Sequence, residues 1–170
     1  MASLSSFLRS LGRLFSGTGT GPARKSPTTA PSAGQSGTNR TVQLDPREAS
    51  KAKLRYSPHP DDRPDPGEVV WTWVPYEEND GRGKDRPMLI VARLTTTSCL
   101  GVALTSKSHD GDRGDLRLGS GAWDQGGRAS WARIDRLFRV HDKGMRREGS
   151  ALDARTYDLV AKALRARYRW

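Results

Sequence analysis

One stretch of the sequence, residues 129–140, alternates side chains that could do chemistry with side chains suited to a core. Residues of a β-strand point alternately to its two faces, so Trp131, Arg133 and Asp135 are predicted to share one face. A guanidinium binds phosphate in bidentate fashion, a carboxylate can accept a proton, and an indole can stack on a base, a contact worth about 1–3 kcal/mol. This face therefore predicts a surface that binds or cuts a phosphodiester.

From Ala132 to Val140, the opposite face of the same predicted strand is apolar apart from Arg136. Its other members, which we expect in the core, are Ala132, Ile134, Phe138 and Val140. We interpret Arg136 as an edge or dimer contact. An ordinary salt-bridged strand face would have the same composition, so spacing alone leaves catalysis and a purely structural role both open.

The elements that would position these side chains are short strands followed by one helix. Runs of β-branched, aromatic and aliphatic residues predict the strands, at 66–74, 88–92, 100–104, 116–118 and 129–140. Apolar residues at helical spacing from Leu152 to Tyr168 predict a C-terminal helix, with Ser150 and Asp153 at capping-box spacing. We therefore expect a mostly β fold with α, in which a compact, partly open β-barrel carries a C-terminal helix.

Residues 1–65 differ in composition from the rest of the chain. Residues 16–41 contain Ser, Thr, Gly or Pro at 18 of 26 positions, which leaves too few apolar side chains to offset the entropy lost on ordering. We expect a short amphipathic basic segment at 1–15, a flexible polar linker at 16–65 and the folded domain at 66–170. A disordered basic N-terminal tail would thus precede the barrel.

The net charge of +10 lies mostly in the N-terminal third of the chain. Residues 1–55 hold nine Lys or Arg and two acidic residues, a net charge of +7, which leaves +3 for the remainder. A basic chain favours nucleic acid or an anionic membrane surface as partner, and a solvated tail is the plain alternative. Residues 4–15 could contact a membrane as an amphipathic helix, although isolated helices this short are marginal in water.

Several classes of site are absent from the sequence. Cys99 is the one cysteine, so an intramolecular disulfide is excluded, and we expect a buried thiol in a reducing, cytoplasmic compartment. The three histidines share no metal-ligand spacing with Cys or acidic residues. The aspartates near 110–115 fail the calcium-loop template, because its twelfth position should be Glu and this sequence has Gly121 there. With no glycine motif for phosphates or dinucleotides and no long apolar run, we predict no cofactor, no metal and no transmembrane helix.

Cutting RNA without a metal requires a base for the 2′-hydroxyl, charge stabilisation at phosphorus and an acid for the leaving oxygen. Asp135 is the candidate base. Arg133 and Arg86 are the candidates that clamp the phosphate, and Arg86 directly precedes the predicted strand that follows Pro87.

An ordered set of short motifs resembles the MazF/PemK family, the toxins of type II toxin–antitoxin systems. The set comprises Gly67-Glu-Val-Val-Trp71, Arg86-Pro87 after a glycine-containing loop, Leu104-Thr-Ser106 and Arg133-Ile-Asp135. It covers roughly residues 66–168. The resemblance implies an SH3-like barrel, usually a homodimer, that cuts single-stranded RNA without a metal and leaves a 2′,3′-cyclic phosphate and a 5′-hydroxyl.

The resemblance also implies roles for individual residues. Arg133 and Asp135 match the family's Arg-x-Asp pair, with Asp135 as base and Arg133 as acid or charge stabiliser. A guanidinium pKa above about 12 favours charge stabilisation. Arg86 matches the arginine before the strand-starting proline, and Thr105 and Ser106 match a Thr-Ser pair that contacts the scissile phosphate.

The loop before Arg86 departs from the family pattern. Family loops often carry Glu a few residues before a Gly-x-Arg-Pro turn, whereas this turn is Gly83-Lys-Asp-Arg86, with one extra residue. Glu78 and Asp80 are the candidates to substitute for that acid and contact RNA. The other RNA-binding candidates are Lys84, Ser106 and Trp131.

The leading hypothesis is therefore an endoribonuclease that cuts mRNA and is neutralised by a cognate antitoxin, with operator DNA bound only by the toxin–antitoxin complex. A second hypothesis, motivated by the altered loop, is a non-catalytic SH3-like module that binds nucleic acid or a protein. A third is a membrane-associated regulator tethered by residues 4–15.

Overall fold

The computed structural model describes residues 30–107 and 111–170. Within these residues the chain forms eight strands and one α-helix, in the order β1 (Val42–Leu44), β2 (Glu68–Pro75), β3 (Gly83–Arg93), β4 (Ser98–Thr105), β5 (Asp115–Gly119), β6 (Ser130–Arg133), β7 (Leu137–His141), β8 (Arg146–Ala151) and α1 (Ala154–Tyr168). No helix in this part of the chain is long and apolar enough to cross a membrane. The predictions for residues 1–15 and 16–29 lie outside the described residues.

The strands form one curled, antiparallel sheet in which β4 is shared. The main path runs β1-β7-β4-β3-β2-β8. The first half of β4 pairs with β7, whereas its end, Leu104 and Thr105, pairs with β6, which in turn pairs with β5. Because one strand serves both parts, the sheet closes into a partly open barrel. The predicted mostly β fold with a C-terminal helix is confirmed.

Helix α1 packs an apolar stripe into the main core, as the helical spacing predicted. The buried members are Tyr157, Val160, Ala161 and Leu164. The predicted capping box is wrong, because β8 continues through Ser150 and the N-cap is Asp153. The Asp153 carboxylate accepts a hydrogen bond from the Thr156 backbone N–H at 2.9 Å and so satisfies one free donor of the first turn.

The stretch 129–140 is two strands and not one. A short turn separates β6 from β7, and at this turn the Ile134 backbone N–H donates to the Gly114 carbonyl at 2.9 Å. The single alternation predicted from the sequence therefore breaks. Leu137, which a single alternation would place on the same face as Arg133 and Asp135, is buried in one hydrophobic cluster, and its neighbour Phe138 is buried in another.

Residues 31–65 belong to the folded unit, so the predicted flexible linker is wrong for this part. β1 pairs with β7, and Leu44, Ala49 and Leu54 are buried in the main core. Gly34 has a φ of 77°, and a Cβ at this position would clash with the Thr72 side chain and the Gly144 carbonyl. The composition was misleading because a few apolar side chains are enough to dock an irregular segment onto a preformed sheet.

Cys99 is a buried structural thiol, as predicted. Arg93 donates hydrogen bonds to its Sγ at 3.1 Å and to the Asp142 carboxylate at 2.9 and 3.0 Å. Burial raises the pKa of the Cys99 thiol to about 12. Because the thiolate is the reactive form of cysteine, this environment keeps the side chain inert.

Candidate active site

Arg133, the last residue of β6, is surrounded by three carboxylates. Its guanidinium lies 2.9 Å from Glu77, 3.2 Å from Asp135 and 3.5 Å from Asp115. The register explains one contact, because Asp115 and Arg133 are partners across β5 and β6. The spacing in the sequence predicted that Arg133 and Asp135 act together, but Glu77, on the loop after β2, was missed.

These charges determine the protonation state of Arg133. Partial burial alone would lower the pKa of the guanidinium, but the charges of Asp135, Glu77 and Asp115 outweigh it, and the pKa of Arg133 lies above its usual value. Arg133 therefore keeps its proton. It can stabilise negative charge on a ligand, and it is a poor proton donor.

A groove of about 810 Å³ opens beside Arg133. We call it the basic groove, because its lining includes Lys84, Arg86, Lys107, Arg128, Arg133 and Arg146. Two of these cations are paired with acidic groove residues. Arg128 lies 2.9 Å from Asp124, and Arg146 lies 2.7 Å from Asp85.

Three cations of the basic groove are free to meet a ligand. In residues 30–107 and 111–170, the side chains of Lys84, Arg86 and Lys107 have no hydrogen-bond or ion-pair partner. Lys84 and Arg86 lie on β3, which begins earlier than the sequence predicted and includes the end of the polar loop. The altered turn is thus part of a strand that lines the groove.

Thr105 and Ser106 reach the basic groove from the end of β4. Thr105 is 8% exposed, and its hydroxyl accepts a hydrogen bond from the Lys107 backbone N–H at 3.2 Å. Ser106 is exposed. The structure therefore brings five predicted site residues into one groove, namely Lys84, Arg86, Thr105, Ser106 and Arg133.

Trp131 does not fit the predicted stacking role. The residue is 6% exposed and does not line the basic groove, whereas a stacking ring needs an open face. Trp71 and Trp123 line the groove instead. Trp71 is half-buried, while Trp123 is buried and donates a hydrogen bond from Nε1 to the Ser130 hydroxyl at 3.1 Å.

Asp135, the predicted base, contacts Arg133 but does not itself line the basic groove. One carboxylate oxygen contacts Arg133, and the other, Oδ1, is buried and accepts no hydrogen bond from the described residues. This position suits a group that holds Arg133 in place.

A second cavity, of about 550 Å³, meets the basic groove at Arg86 and Arg133. We call it the arginine pocket, because its lining includes Arg82, Arg86, Arg133 and Arg136. Its acidic members are Glu77 and Glu78. The Glu77 side chain is 61% exposed and reaches Arg133 from this pocket.

The two predicted substitutes for the missing loop acid occupy different places. Glu78 lines the arginine pocket but makes no ion pair within the described part of the chain. Asp80 lines neither cavity and pairs with Arg82 at 2.6 Å. The backbone N–H and the guanidinium of Arg82 lower the pKa of Asp80. Of the acids on the loop after β2, the one that contacts the candidate catalytic arginine is therefore Glu77.

Residues 65–167 match the family model described as PemK-like, MazF-like toxin of type II toxin-antitoxin system. The match spans more than half of the 170 residues. It includes β2 to β8 and most of α1, and it leaves out β1. No curated protein matches the chain significantly.

Two solved structures have a similar fold. MazF (Form-I) from Deinococcus radiodurans is 18% identical, with a TM-score of 0.50, and the match covers 65% of this chain and 100% of that one. A MazE-MazF structure (Form-II) from the same organism is 18% identical, with a TM-score of 0.47, and the match covers 62% of this chain and 96% of that one. At 18% identity the likeness to MazF (Form-I) shows the fold alone.

Proposed function

The chain belongs to the family of PemK-like, MazF-like toxins of type II toxin–antitoxin systems, and we propose that it is an endoribonuclease that cuts single-stranded RNA in the basic groove. The observation that carries the proposal is the convergence of Arg86 and Arg133 where the groove meets the arginine pocket. Arg86 has no other partner among the described residues. Two guanidinium groups that line the same two cavities can hold a phosphate through charge-assisted, bidentate hydrogen bonds.

The proposed reaction is an attack within the RNA strand. The ribose 2′-hydroxyl attacks phosphorus and the bond to the 5′-oxygen breaks, which yields a 2′,3′-cyclic phosphate and a 5′-hydroxyl. A base takes the proton of the 2′-hydroxyl, and the leaving 5′-oxygen takes a proton from solvent water. Arg86 and Arg133 stabilise the negative charge that develops at phosphorus, the role in which fixed donors contribute most to catalysis.

Glu77 is the carboxylate best supported as the base. It is exposed and lines the pocket that contains Arg86 and Arg133, and a base must come within hydrogen-bond reach of the proton it takes. Asp135, whose carboxylate contacts Arg133 and lines neither cavity, acts as a positioning residue.

The remaining groove residues bind the strand on either side of the scissile phosphate. Lys84 and Lys107 supply positive charge for neighbouring phosphates, and Ser106 supplies an exposed hydroxyl. Trp71 offers a partly open indole on which a base can stack. Thr105, with its hydroxyl bonded to the backbone of Lys107, holds the end of β4 in place and contacts the phosphate from there.

Cleavage by the full-length chain tests this proposal. A labelled single-stranded RNA should be cut in EDTA, and Arg86→Ala should slow single-turnover cleavage by about 10²–10³-fold, the typical cost of one lost charge-stabilising donor. Arg86→Ala breaks no ion pair within the described residues, so the fold should persist. Arg139→Ala is the matched control, because Arg139 pairs with Glu48 and lines neither cavity. An intact cleavage rate in Arg86→Ala would refute the assignment.

One observation favours the second candidate, a non-catalytic RNA-binding module. Arg133 is already neutralised by three carboxylates, which weakens its attraction for a phosphate. A binding module would hold RNA with a steep salt dependence and release it uncut in the same assay.

We propose a cognate antitoxin as the protein partner, in keeping with the family to which the chain belongs. The free cations of the basic groove make an acidic segment the chemically complementary ligand for that surface. A homodimer, contact with operator DNA as a toxin–antitoxin complex and a cytoplasmic location remain predictions.

A further inference from the structure

Arg136 lies in the arginine pocket in an unusual environment for a charged side chain. The residue is 9% exposed, and its guanidinium lies over the Phe138 ring, 5.0 Å from the centroid. Its Nε and one terminal nitrogen donate to the Gln43 side-chain oxygen at 3.0 and 2.8 Å, and the same terminal nitrogen donates to the Pro75 carbonyl at 3.0 Å. The sequence-based interpretation as an edge or dimer contact is replaced by this buried position.

None of these partners carries a charge. Gln43 orients the guanidinium through an amide oxygen, so the positive charge is fixed in direction without being neutralised. The other terminal nitrogen, Nη1, has no hydrogen-bond acceptor among the described residues. Arg136 is therefore a fixed cation with donor capacity to spare.

The charges around Arg136 are of both signs. Burial is the main cause that lowers the pKa of Arg136, and among its charged neighbours Glu77 and Asp135 attract the guanidinium while Arg133 and Arg86 repel it. The acids that line the pocket are Glu77, which contacts Arg133, and Glu78, which makes no ion pair within the described residues. Neither of them is a hydrogen-bond partner of Arg136, so Nη1 can still donate to an anion in the pocket.

The position of the pocket indicates which anion enters it. The arginine pocket and the basic groove share Arg86 and Arg133, so a strand held at these two residues continues from one cavity into the other. Successive phosphates of a single strand are the anions that this continuity would deliver. Gln43 belongs to β1, outside the residues 65–167 that match the family, so this arrangement depends on the N-terminal segment of this chain.

We propose that the arginine pocket is a second phosphate subsite, in which Arg136, oriented by Gln43 of β1, binds a phosphate of the RNA strand next to the one held by Arg86 and Arg133. The inference rests on the proposed function. It adds a binding residue to which the sequence assigned no part in RNA binding, and a positioning residue from the segment that was expected to be a linker.

Salt-dependent binding of an uncleavable strand tests the subsite. The probe is a single-stranded oligonucleotide with 2′-O-methyl groups throughout, which keeps every phosphate but lacks the attacking hydroxyl, and the protein is the full-length chain. For single strands the slope of log affinity against log salt is about −0.7 for each neutralised phosphate. Arg136→Met should therefore reduce the steepness of the slope by about 0.7 and weaken binding, whereas Arg139→Met should leave both unchanged.

Gln43→Glu provides an independent variant in case Arg136→Met does not fold. A carboxylate at position 43 would pair with Arg136 and neutralise it without removing any arginine, so the slope should fall by the same amount. Unchanged slopes in both variants, or no binding by the wild type, would overturn the subsite. Binding with the expected slopes but no cleavage of ordinary RNA would instead reject the nuclease and leave the subsite standing.

Discussion

Glu77 and Asp135 both contact the guanidinium of Arg133, yet their surroundings give them different tasks. The Glu77 side chain is 61% exposed and lines the arginine pocket, whereas that of Asp135 is 27% exposed and has one buried oxygen without a hydrogen-bond donor in the described residues. An exposed carboxylate can approach a ribose hydroxyl, and a half-buried one holds its arginine. The assignment of base and positioning residue follows from this difference.

Substitution of Glu77 should therefore affect chemistry more than binding. Glu77→Gln should lower the single-turnover cleavage rate by about 10²–10⁴-fold, the usual contribution of a positioned base. RNA affinity should not fall, because the substitution removes a negative charge from the pocket. Glu78→Gln is the matched control, since Glu78 lines the same pocket without an ion pair in the described residues. A Glu77→Gln protein that cleaves at the wild-type rate would return the role of base to Asp135.

Cys99 should make the stability of the protein depend on alkaline pH. Burial raises the pKa of its thiol to about 12 in the folded chain, whereas an unfolded thiol ionises near pH 8.5. Between these two pH values the folded state keeps the thiol proton that the unfolded state has lost. The stabilisation from this proton is therefore complete below about pH 8.5 and is lost as the pH rises toward 12. The free energy of unfolding should fall by up to about 1.4 kcal/mol per pH unit in this range.

Urea unfolding between pH 8 and pH 10 measures this dependence. Cys99→Ala should flatten the decline, even if the substitution lowers stability at neutral pH, because the titrating group is gone. Equal pH slopes for the wild type and Cys99→Ala would show that the thiol is not protected by the fold.

At the scale of elements, β1 and the segment that follows it hold part of the main core. Leu44 is 5% exposed, so Leu44→Ala should lower the free energy of unfolding by about 2–5 kcal/mol through lost burial and the cavity left behind. Leu159→Ala makes the same chemical change at the exposed large hydrophobic residue of α1, which is 50% exposed, and should cost less than about 0.5 kcal/mol. Urea denaturation of the two variants makes the comparison, and similar losses would mean that β1 is not docked as described.

The strands that could be predicted are those with continuous apolar or β-branched runs. β2, the apolar half of β3 and β4 were identified because a short continuous run of apolar residues is itself the sequence signal of a buried strand. β8 has no such pattern, since five of its six residues are exposed. β1 is three residues long and depends on β7 for its pairing, so no local signal distinguishes it from the flexible segment that was predicted.

The turn between β6 and β7 shows a different limit. Apolar and polar residues alternate through 129–140 as they would in one strand, but the two parts of the stretch pair with different neighbours. β6 pairs with β5 and the end of β4, whereas β7 pairs with β1 and the first half of β4. This change of partner depends on the tertiary fold. The alternation placed Arg133 and Asp135 together correctly, since they are in contact at 3.2 Å, and failed for Trp131, which is buried.

At the scale of the whole molecule, the candidate site is assembled from distant parts of the chain. Arg86, Thr105 and Arg133 were recognised from the ordered motifs, and the fold brings them into one groove. The contact between Gln43 and Arg136 joins residues 93 positions apart, and the approach of Glu77 to Arg133 likewise depends on the tertiary fold. Such contacts carry no spacing signal in a single sequence, which is why the arginine pocket was not foreseen.

The central claim is that the two arginines promote attack of a 2′-hydroxyl on the neighbouring phosphate, and the end groups of the products test it most directly. A single-stranded RNA cut by the full-length chain in EDTA should yield, by mass spectrometry, a 2′,3′-cyclic phosphate on one fragment and a 5′-hydroxyl on the other. A single 2′-deoxy substitution at the cleaved nucleotide should abolish the cut. Products with a 3′-hydroxyl and a 5′-phosphate, or cleavage of the 2′-deoxy strand at the same place, would contradict the account.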